Sequence, residues 1–446
     1  MDLFNMLTLI GGLSLFLFGM NIMGQALERR AGGQLRALLE KLTTGKLTGL
    51  LTGLGVTAVI QSSSATTVMV VGFVNSGLMN LKQAINIIMG ANIGTTVTAW
   101  ILSLAGIDSG NLFVRLLKPS SFTPMLAFLG IIFYMFCKNA KKKDTGMILL
   151  GFATLMFGME TMSEAVSGLR NVPAFQQMFV MFKNPVLGVL AGAGLTAIIQ
   201  SSSASVGILQ ALAVTGQVSY GAAIPIIMGQ NIGTCVTAML SSVGANKNAR
   251  RAALVHLSFN VVGTAVWLAI FCMIRPLLHP AFLDEPASLV GIAVAHSVFN
   301  VLCTLLMLPL AGVLERLVVR LVPEGKKPEE LVELDERFLA APPVALERCR
   351  ELAWTLADLA VENLGMGLDA LTSYDPERGE KLREQEEKID HYEDILSTYL
   401  VKLSARPIGQ EDNAQAAKLL KLIGDFERIG DHGVNLLGAA ETLREK

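Results

Sequence analysis

Apolar residues run in long blocks through the first two thirds of this chain, and most of the blocks have the length of a membrane crossing. A helix needs about 20 mostly apolar residues to span the hydrocarbon core of a bilayer. The blocks predict crossings at about 4–27, 83–106, 121–138, 145–167, 222–244, 252–274 and 288–314. Two further apolar stretches break the pattern. Residues 47–81 and 186–216 are too long for one crossing and short for two, and Gln-Ser-Ser-Ser interrupts each midway. Asn75-Ser76-Gly77 and Thr215-Gly216 then provide a return. Each stretch reads as a re-entrant hairpin of two half-helices. An irregular tip at membrane depth is tolerable only when protein encloses it or it faces a watery cavity.

Beyond about Leu314 the blocks end and charge becomes dense. Helices with charge on one face are expected at about 344–373, 377–404 and 412–444. Pro376 marks a helix start and Pro407 a break. Leu382, Ile389, Ile395 and Leu396 supply an apolar stripe at helical spacing, and Glu377 to Lys388 reads as a solvated face. Three antiparallel helices with short turns follow. The expected fold is all-α: a polytopic membrane domain over 1–315, a linker over 316–343 and a three-helix bundle over 344–446.

Composition supports the division. The 446 residues are 52% hydrophobic and 16% charged, against about 25% charged in soluble domains. No Asp, Glu, Lys or Arg occurs in 47–81 or 184–246. The net charge of −1 says nothing about partners, and no basic stripe or aromatic-basic interleaving points to nucleic acid. Cys137, Cys235, Cys272, Cys303 and Cys349 lack the paired spacing of disulfide or zinc frameworks. No basic region precedes the first apolar block, so it reads as a membrane helix rather than a signal peptide.

The loop charges orient the domain, because Lys and Arg favour cytoplasmic loops. Arg29, Arg30, Arg36, Lys41 and Lys46 follow the first crossing, and Lys138, Lys141, Lys142 and Lys143 lie between the third and fourth. Lys247, Arg250 and Arg251 lie between the fifth and sixth, and Arg316 and Arg320 follow the seventh. With two hairpins returning to the side they entered, all four clusters share one side. The N-terminus is then outside and the C-terminal bundle cytoplasmic, at the cell (inner) membrane. Arg115, Lys118, Arg170, Lys183 and Arg275 are exceptions in outside loops.

The interrupted stretches are near copies. Gln61-Ser62-Ser63-Ser64 recurs 139 residues later as Gln200-Ser201-Ser202-Ser203, and Asn92-Ile93-Gly94-Thr95 recurs at the same offset as Asn231-Ile232-Gly233-Thr234. Between Gly53–Ala99 and Gly192–Ala238 roughly half the positions are identical without gaps. Three crossings separate corresponding elements, an odd number, so the copies are inverted: repeat 1 about 1–140, repeat 2 about 141–280, and an extra helix about 288–314. The two hairpins then enter from opposite faces and meet at one midplane site.

The chemistry follows from the residue types. Ser, Thr, Gln and Asn offer donors and acceptors, and half-helix N-termini add unpaired N–H groups and a positive dipole end for an anion. Hydroxyls and freed carbonyls suit sodium. The tips contain no Arg or Lys, so a divalent anion there needs bound cations to offset its charge. The candidate substrate- and ion-binding residues are Gln61, Ser62, Ser63, Ser64, Thr66, Asn92, Thr95, Gln200, Ser201, Ser202, Ser203, Asn231 and Thr234. Gly94 and Gly233 alternatively make the second motif a helix-packing device. His256 and Asn260 recur as His296 and Asn300 in a His-x-x-Phe-Asn pattern, as a relay or as packing. In the bundle, Glu427 and Asp431 share a helix face that Glu386, Glu387 and Asp390 oppose. Glu427, Asp431, Glu387 and Asp390 are the candidate ligands for a hard metal ion, with plain surface charge as the alternative. No base adjoins the Ser triplets and no Gly-x-Ser-x-Gly elbow occurs, which argues against an enzyme.

The paired motifs, at 61–64 with 90–95 and at 200–203 with 229–234, resemble the type II sodium-dependent phosphate cotransporter family over about residues 1–315. The stretch His256 to Asn260 is similar as well. The resemblance implies sodium-coupled import of inorganic phosphate by alternating access, with sodium as coupling ion, no other cofactor, and both tips at the phosphate and sodium site. Phe426-Glu427-Arg428-Ile429-Gly430-Asp431-His432 is similar to the signature of PhoU-type bundles, of which one three-helix unit fits here. A fused regulatory tail of this kind is typical of the bacterial branch. Unlike the animal members, the first copy lacks a His-x-x-Phe-Asn. A membrane phosphate sensor signalling through the bundle to a cytoplasmic partner is the alternative reading, and a homo-oligomer is compatible with either.

Overall fold

The structure, a computed structural model, describes residues 3–40, 45–75, 79–106, 119–168, 172, 181–182, 184–278, 280–323, 334, 336–340, 342–406 and 408–445. The expected returns at Ser76-Gly77, the outside-loop charges Arg115, Lys118, Arg170 and Lys183, and Pro407 lie outside these residues. The chain is almost entirely helical. Among the described residues no strand forms, and a single antiparallel bridge joins Ser219 and Pro286. Two compact units divide it, residues 1–326 and 327–446.

The first unit opens with α1 (Leu3–Glu40), followed by α2 (Lys46–Ile60), α3 (Ser63–Asn75), α4 (Leu81–Ser103) and α5 (Pro119–Phe136). The same series recurs as α6 (Ala140–Ser167), α7 (Pro185–Ile199), α8 (Ser202–Ala213), α9 (Tyr220–Ser241) and α10 (Lys247–Leu278). The bounds of α2 and α7 coincide when shifted by the 139-residue offset. Then come α11 (Leu289–Met307) and α12 (Ala311–Leu321).

Among the described residues six helices are long and apolar enough to cross a membrane: those over Phe4–Arg30, Leu81–Gly106, Ala140–Ser167, Tyr220–Ser241, Lys247–Leu278 and Leu289–Met307. Two expectations shift. The crossing expected at 121–138 is the 18-residue α5, about 27 Å long at 1.5 Å per residue and marginal for a core of about 30 Å. The crossing expected at 288–314 ends at Met307, and α12 starts separately at Ala311. Pro309 has no N–H to continue the ladder and restricts the residue before it. Large apolar side chains such as Phe4, Met125, Phe128 and Phe136 lie exposed, as lipid-facing residues do when hydrocarbon is the solvent.

The helices close on glycine. A Cβ on Gly53 would lie 1.9 Å from the Ile87 carbonyl oxygen, and one on Gly90 1.9 Å from that of Leu50. In the second series, Gly192 meets Ile226 at 2.1 Å and Gly229 meets Val189 at 1.9 Å. The outer contacts, Gly49 with Asn86 and Gly94 with Thr57, and likewise Gly188 with Pro225 and Gly233 with Ala197, advance together along both helices, so α2 runs parallel to α4 and α7 parallel to α9. Without an apolar drive inside lipid, such close backbone approach supplies the dispersion contacts that hold helices together. Helices α1 and α6 also cross on glycine. Gly12 meets Gly158 and Gly19 meets Gly151. The order is reversed, so this pair is antiparallel. Gly12 and Gly19 shifted by 139 are Gly151 and Gly158, so exchanging the copies maps the contact onto itself, as a two-fold relation requires.

The second unit contains α13 (Pro342–Thr372), α14 (Pro376–Ser404) and α15 (Gln410–Glu445), close to the expected helices. Its core includes Cys349, Leu356, Leu382, Ile389, Leu396, Ile423 and Leu437. Gly367 of α13 faces Gly433 of α15, and the buried Asn363 amide donates to the Gly430 carbonyl at 3.1 Å. A Cβ at Gly430 would meet Ile389 at 2.9 Å. The glycine in the 426–432 segment therefore lets three helices approach at one level.

Candidate functional site

In a straight helix, residues 57 and 66 would stand about 13.5 Å apart along the axis. Here the Thr57 hydroxyl donates to the Thr66 hydroxyl at 3.0 Å, so α2 and α3 lie side by side and the chain folds back between them. The fold-back is made by Gln61, the C-cap of α2, whose φ of 61° is left-handed. Gln200 caps α7 in the same way at φ 58°. Among the described residues these two are the only non-glycine residues with positive φ. Left-handed backbone costs an L-residue about 1–2 kcal/mol. The same strain at the same motif in both copies marks the turns as built features.

Each turn leads directly into a helix N-terminus. The Ser62 hydroxyl accepts from the Ala65 N–H at 3.1 Å, and the Ser201 hydroxyl accepts from the Ala204 N–H at 3.2 Å. Thr66 and Ser205 close the first backbone bonds onto the carbonyls of Ser62 and Ser201. The amides of Ser63, Ser64, Ser202 and Ser203 precede those first bonds and have no acceptor within their own helices. Four N–H groups and two positive helix ends thus sit at the two tips.

The tips share one cavity of about 250 Å³. Gln61, Ser62, Ser63 and Ser64 line it together with Gln200, Ser201, Ser202 and Ser203. Eight of the candidate residues are therefore gathered as the sequence anticipates. Thr66 is not on the lining, and its hydroxyl serves Thr57 and the Ser62 carbonyl. The second motif lies away from the cavity as well. Asn92 donates to Ile88 and Asn231 to Ile227, both at 2.8 Å, while Thr95 and Thr234 bond back one turn to Ala91 and Gln230. A Cβ at Gly94 or Gly233 would strike Leu54 or Ala193 carbonyl oxygen at 2.7 and 2.5 Å. The motif's glycine packs α4 and α9 on α2 and α7.

The two half-sites differ. The Gln61 side chain is buried, its amide NH₂ donates to the Ala58 carbonyl, and its Oε1 accepts from the Thr98 hydroxyl at 3.0 Å. Gln200 is exposed, and its counterpart donor, the Thr237 hydroxyl, is buried without a partner. The Thr196 and Ser205 hydroxyls, equivalents of the bonded Thr57 and Thr66, are likewise unpartnered. His256 and His296 are buried off the cavity, and none of their ring nitrogens is hydrogen-bonded. Asn260 reaches Asn92 Oδ1 at 3.3 Å.

Sequence reasoning missed the third wall. Helix α1 contributes Met20, Asn21, Gly24, Gln25 and Glu28. Residues 21, 25 and 28 lie at i, i+4 and i+7 on one helix face. The spacing was there to read, but the three polar residues sit within or at the end of an apolar crossing. Arg29 adjoins Glu28, and its guanidinium is paired with Asp144 of α6 at 2.8 Å.

In the bundle, oxygens of Glu386, Asp390 and Asp431 lie within 4.8 Å of one another. Asp390 and Asp431 come together as anticipated. Glu386 takes the place expected of Glu387, because 386 and 390 stack at i, i+4 while Glu387 turns out to solvent. Glu427 adjoins through a side-chain bond to Asp431. Partial burial and then the neighbouring carboxylates hold Glu386, Asp390 and Glu427 above the usual carboxylate range. Such a cluster has the oxygen donors that hard cations take.

Comparison with known proteins places the chain. The model of the Na+/Pi-cotransporter family matches twice, over residues 15–164 and 155–280. The PhoU domain matches over 354–439. YjbB of Escherichia coli (strain K12), a protein named for inorganic phosphate export, is 26% identical over 96% of this chain and 76% of its own length. YqeW of Bacillus subtilis, an uncharacterized protein, is 30% identical over 71% of this chain and 99% of its own length. The human sodium-dependent phosphate transport protein 2B is 23% identical over 59% of each chain. No solved structure matches. By its double match and by the cavity built from both copies, the chain belongs to the Na+/Pi-cotransporter family.

Proposed function

We propose that this protein is a secondary transporter that moves inorganic phosphate across a membrane with sodium as the coupling ion. The observation that carries the reading is the single cavity lined by both Gln-Ser-Ser-Ser tips and, among the described residues, by no Lys or Arg. Phosphate takes the four free amides and the Ser hydroxyls, which donate to its oxygens. The charge balance then calls for cations. Each helix end carries about half a positive charge, so two ends offset roughly one unit of a phosphate dianion. Sodium ions on the carbonyls freed where α2 and α7 stop offset the rest. Phosphate binds well only with sodium present, and that dependence is the coupling.

In this account α1–α5 and α6–α10 are inverted repeats, α2–α3 and α7–α8 are re-entrant hairpins entering from opposite faces, and alternating access exposes the site to each side in turn. The self-complementary α1–α6 crossing and the double family match support it. An inward sodium gradient drives phosphate in. The name of the E. coli relative favours a second reading, net export, which a reversible carrier performs when the combined gradient points outward.

The test is flux in proteoliposomes. An inward sodium gradient, and not a potassium gradient, is expected to drive accumulation of labelled phosphate. Sodium-independent accumulation contradicts the coupling. Phosphate binding without flux contradicts transport and points to a sensor acting through the bundle.

A further inference from the structure

We propose that Glu28 holds a sodium ion at the α1 wall of the cavity, a cation site distinct from the carbonyl oxygens at the hairpin turns. The inference rests on reading the cavity as the phosphate site, and it begins from a conflict. Among the described residues Glu28 is the one carboxylate on a lining otherwise suited to an anion. Its Oε1 is buried and has no hydrogen-bond partner. The adjacent cation does not satisfy it, because Arg29 is committed to Asp144 at 2.8 Å and also donates to the Met147 sulfur. Among the described residues no Lys or Arg lines the cavity. A bare carboxylate there repels an entering phosphate, so anion binding requires that its charge be offset at the same time.

The surrounding atoms favour a metal cation. Gln25 and Asn21 stand one and two turns away on the same face of α1, and Ser62, Ser63 and Ser64 line the same cavity. Carboxylate, amide carbonyl and hydroxyl oxygens are the hard donors that sodium takes in broken-helix transporters. A proton needs one oxygen and leaves the others unused. Sodium at Glu28 turns a repulsive wall into an attractive one and makes phosphate affinity depend on sodium from the α1 side.

Two measurements on the full chain decide the matter. In detergent without phosphate, sodium chloride is expected to stabilise the wild type saturably against heat, relative to choline chloride at equal ionic strength. Glu28→Gln is expected to need at least about tenfold more sodium for the same stabilisation, equivalent to about 1.4 kcal/mol. In proteoliposomes the half-saturating sodium for phosphate uptake rises by the same factor, while Glu28→Asp stays near the wild type. Gln25→Ala, which keeps the carboxylate, shifts it in the same direction by less. Unchanged sodium dependence in both Glu28→Gln and Gln25→Ala overturns the site. Stabilisation by acid in place of sodium, lost in Glu28→Gln, overturns it in favour of a proton. If the wild type carries no sodium-driven phosphate, the transport reading fails separately, and the binding measurement still judges Glu28.

Discussion

Gln61 and Gln200 occupy a position that helices normally give to glycine, the left-handed residue just past the last turn. Strain of this kind persists where the side chain is needed. Gln61→Gly relieves this strain but removes a buried side chain and leaves the Thr98 hydroxyl without its acceptor, so it is expected to leave the protein folded with a melting temperature no higher than the wild type, while phosphate uptake falls at least about tenfold. Wild-type uptake by this variant removes Gln61 from the site. The half-sites give a second contrast. Thr98→Val strips Gln61 Oε1 of its donor and is expected to cost about 1–3 kcal/mol. Thr237→Val removes a buried hydroxyl that has no partner and is expected to be neutral or stabilising. Thermal melting of the two variants checks both. At this scale the tips were legible because a polar cluster that occurs twice in apolar sequence cannot be accidental. Glu28 was not legible. It occurs once, beside two arginines, and looks like the end of a crossing.

Among the elements, the close glycines and the open ones separate cleanly. Gly90→Ala places a Cβ 1.9 Å from the Leu50 carbonyl oxygen and is expected to destabilise by at least about 1–3 kcal/mol, the cost of overpacking. A Cβ at Gly55 meets nothing within 4 Å, so Gly55→Ala in the same α2–α4 pair is expected to stabilise by about 0.4–1 kcal/mol. Equal melting temperatures would contradict the packing account. This also explains the Asn-Ile-Gly-Thr repeat. Its register was readable, but whether its glycine served a ligand or a neighbouring helix depended on a crossing distance that no single sequence contains. In the bundle, the raised carboxylates of Glu386, Asp390 and Glu427 set a pH dependence. Their folded state holds protons more tightly than the unfolded chain, so the stability they influence is highest below the ordinary carboxylate pKa and declines as pH rises through the raised values. Asp390→Asn is expected to raise the melting temperature of the bundle's transition at neutral pH and flatten its dependence between acid and neutral pH. Added Mg²⁺ or Mn²⁺ is expected to stabilise the wild type more than this variant. A steeper acid loss in the wild type would contradict the sign. The helices and their facing stripes were legible from spacing, whereas the choice of Glu386 over Glu387 turns on about 100° of helix rotation.

For the whole molecule, the two copies make one cavity that is unequal in this state, with Gln61 satisfied and Gln200 open. Exchange of the copies places Glu160 and Glu164 of α6 where Asn21 and Gln25 stand on α1, and both glutamates are exposed. If the repeats are inverted, Asn21→Cys and Glu160→Cys react with a membrane-impermeant maleimide from opposite faces of sealed vesicles. Labelling of both from one face contradicts the inversion. The division into membrane unit and bundle was legible from charge density alone. The break at Pro309 and the short α5 were less so, because hydropathy reports apolar length and not where the hydrogen-bond ladder stops. The central claim is that the paired tips bind phosphate with sodium, and the most direct measurement is uptake of labelled phosphate by proteoliposomes of the purified chain under opposed sodium and potassium gradients. The account predicts accumulation that follows the sodium gradient and is lost in Gln61→Ala and Gln200→Ala proteins that remain folded. Accumulation without sodium, or at the wild-type rate in both variants, contradicts it.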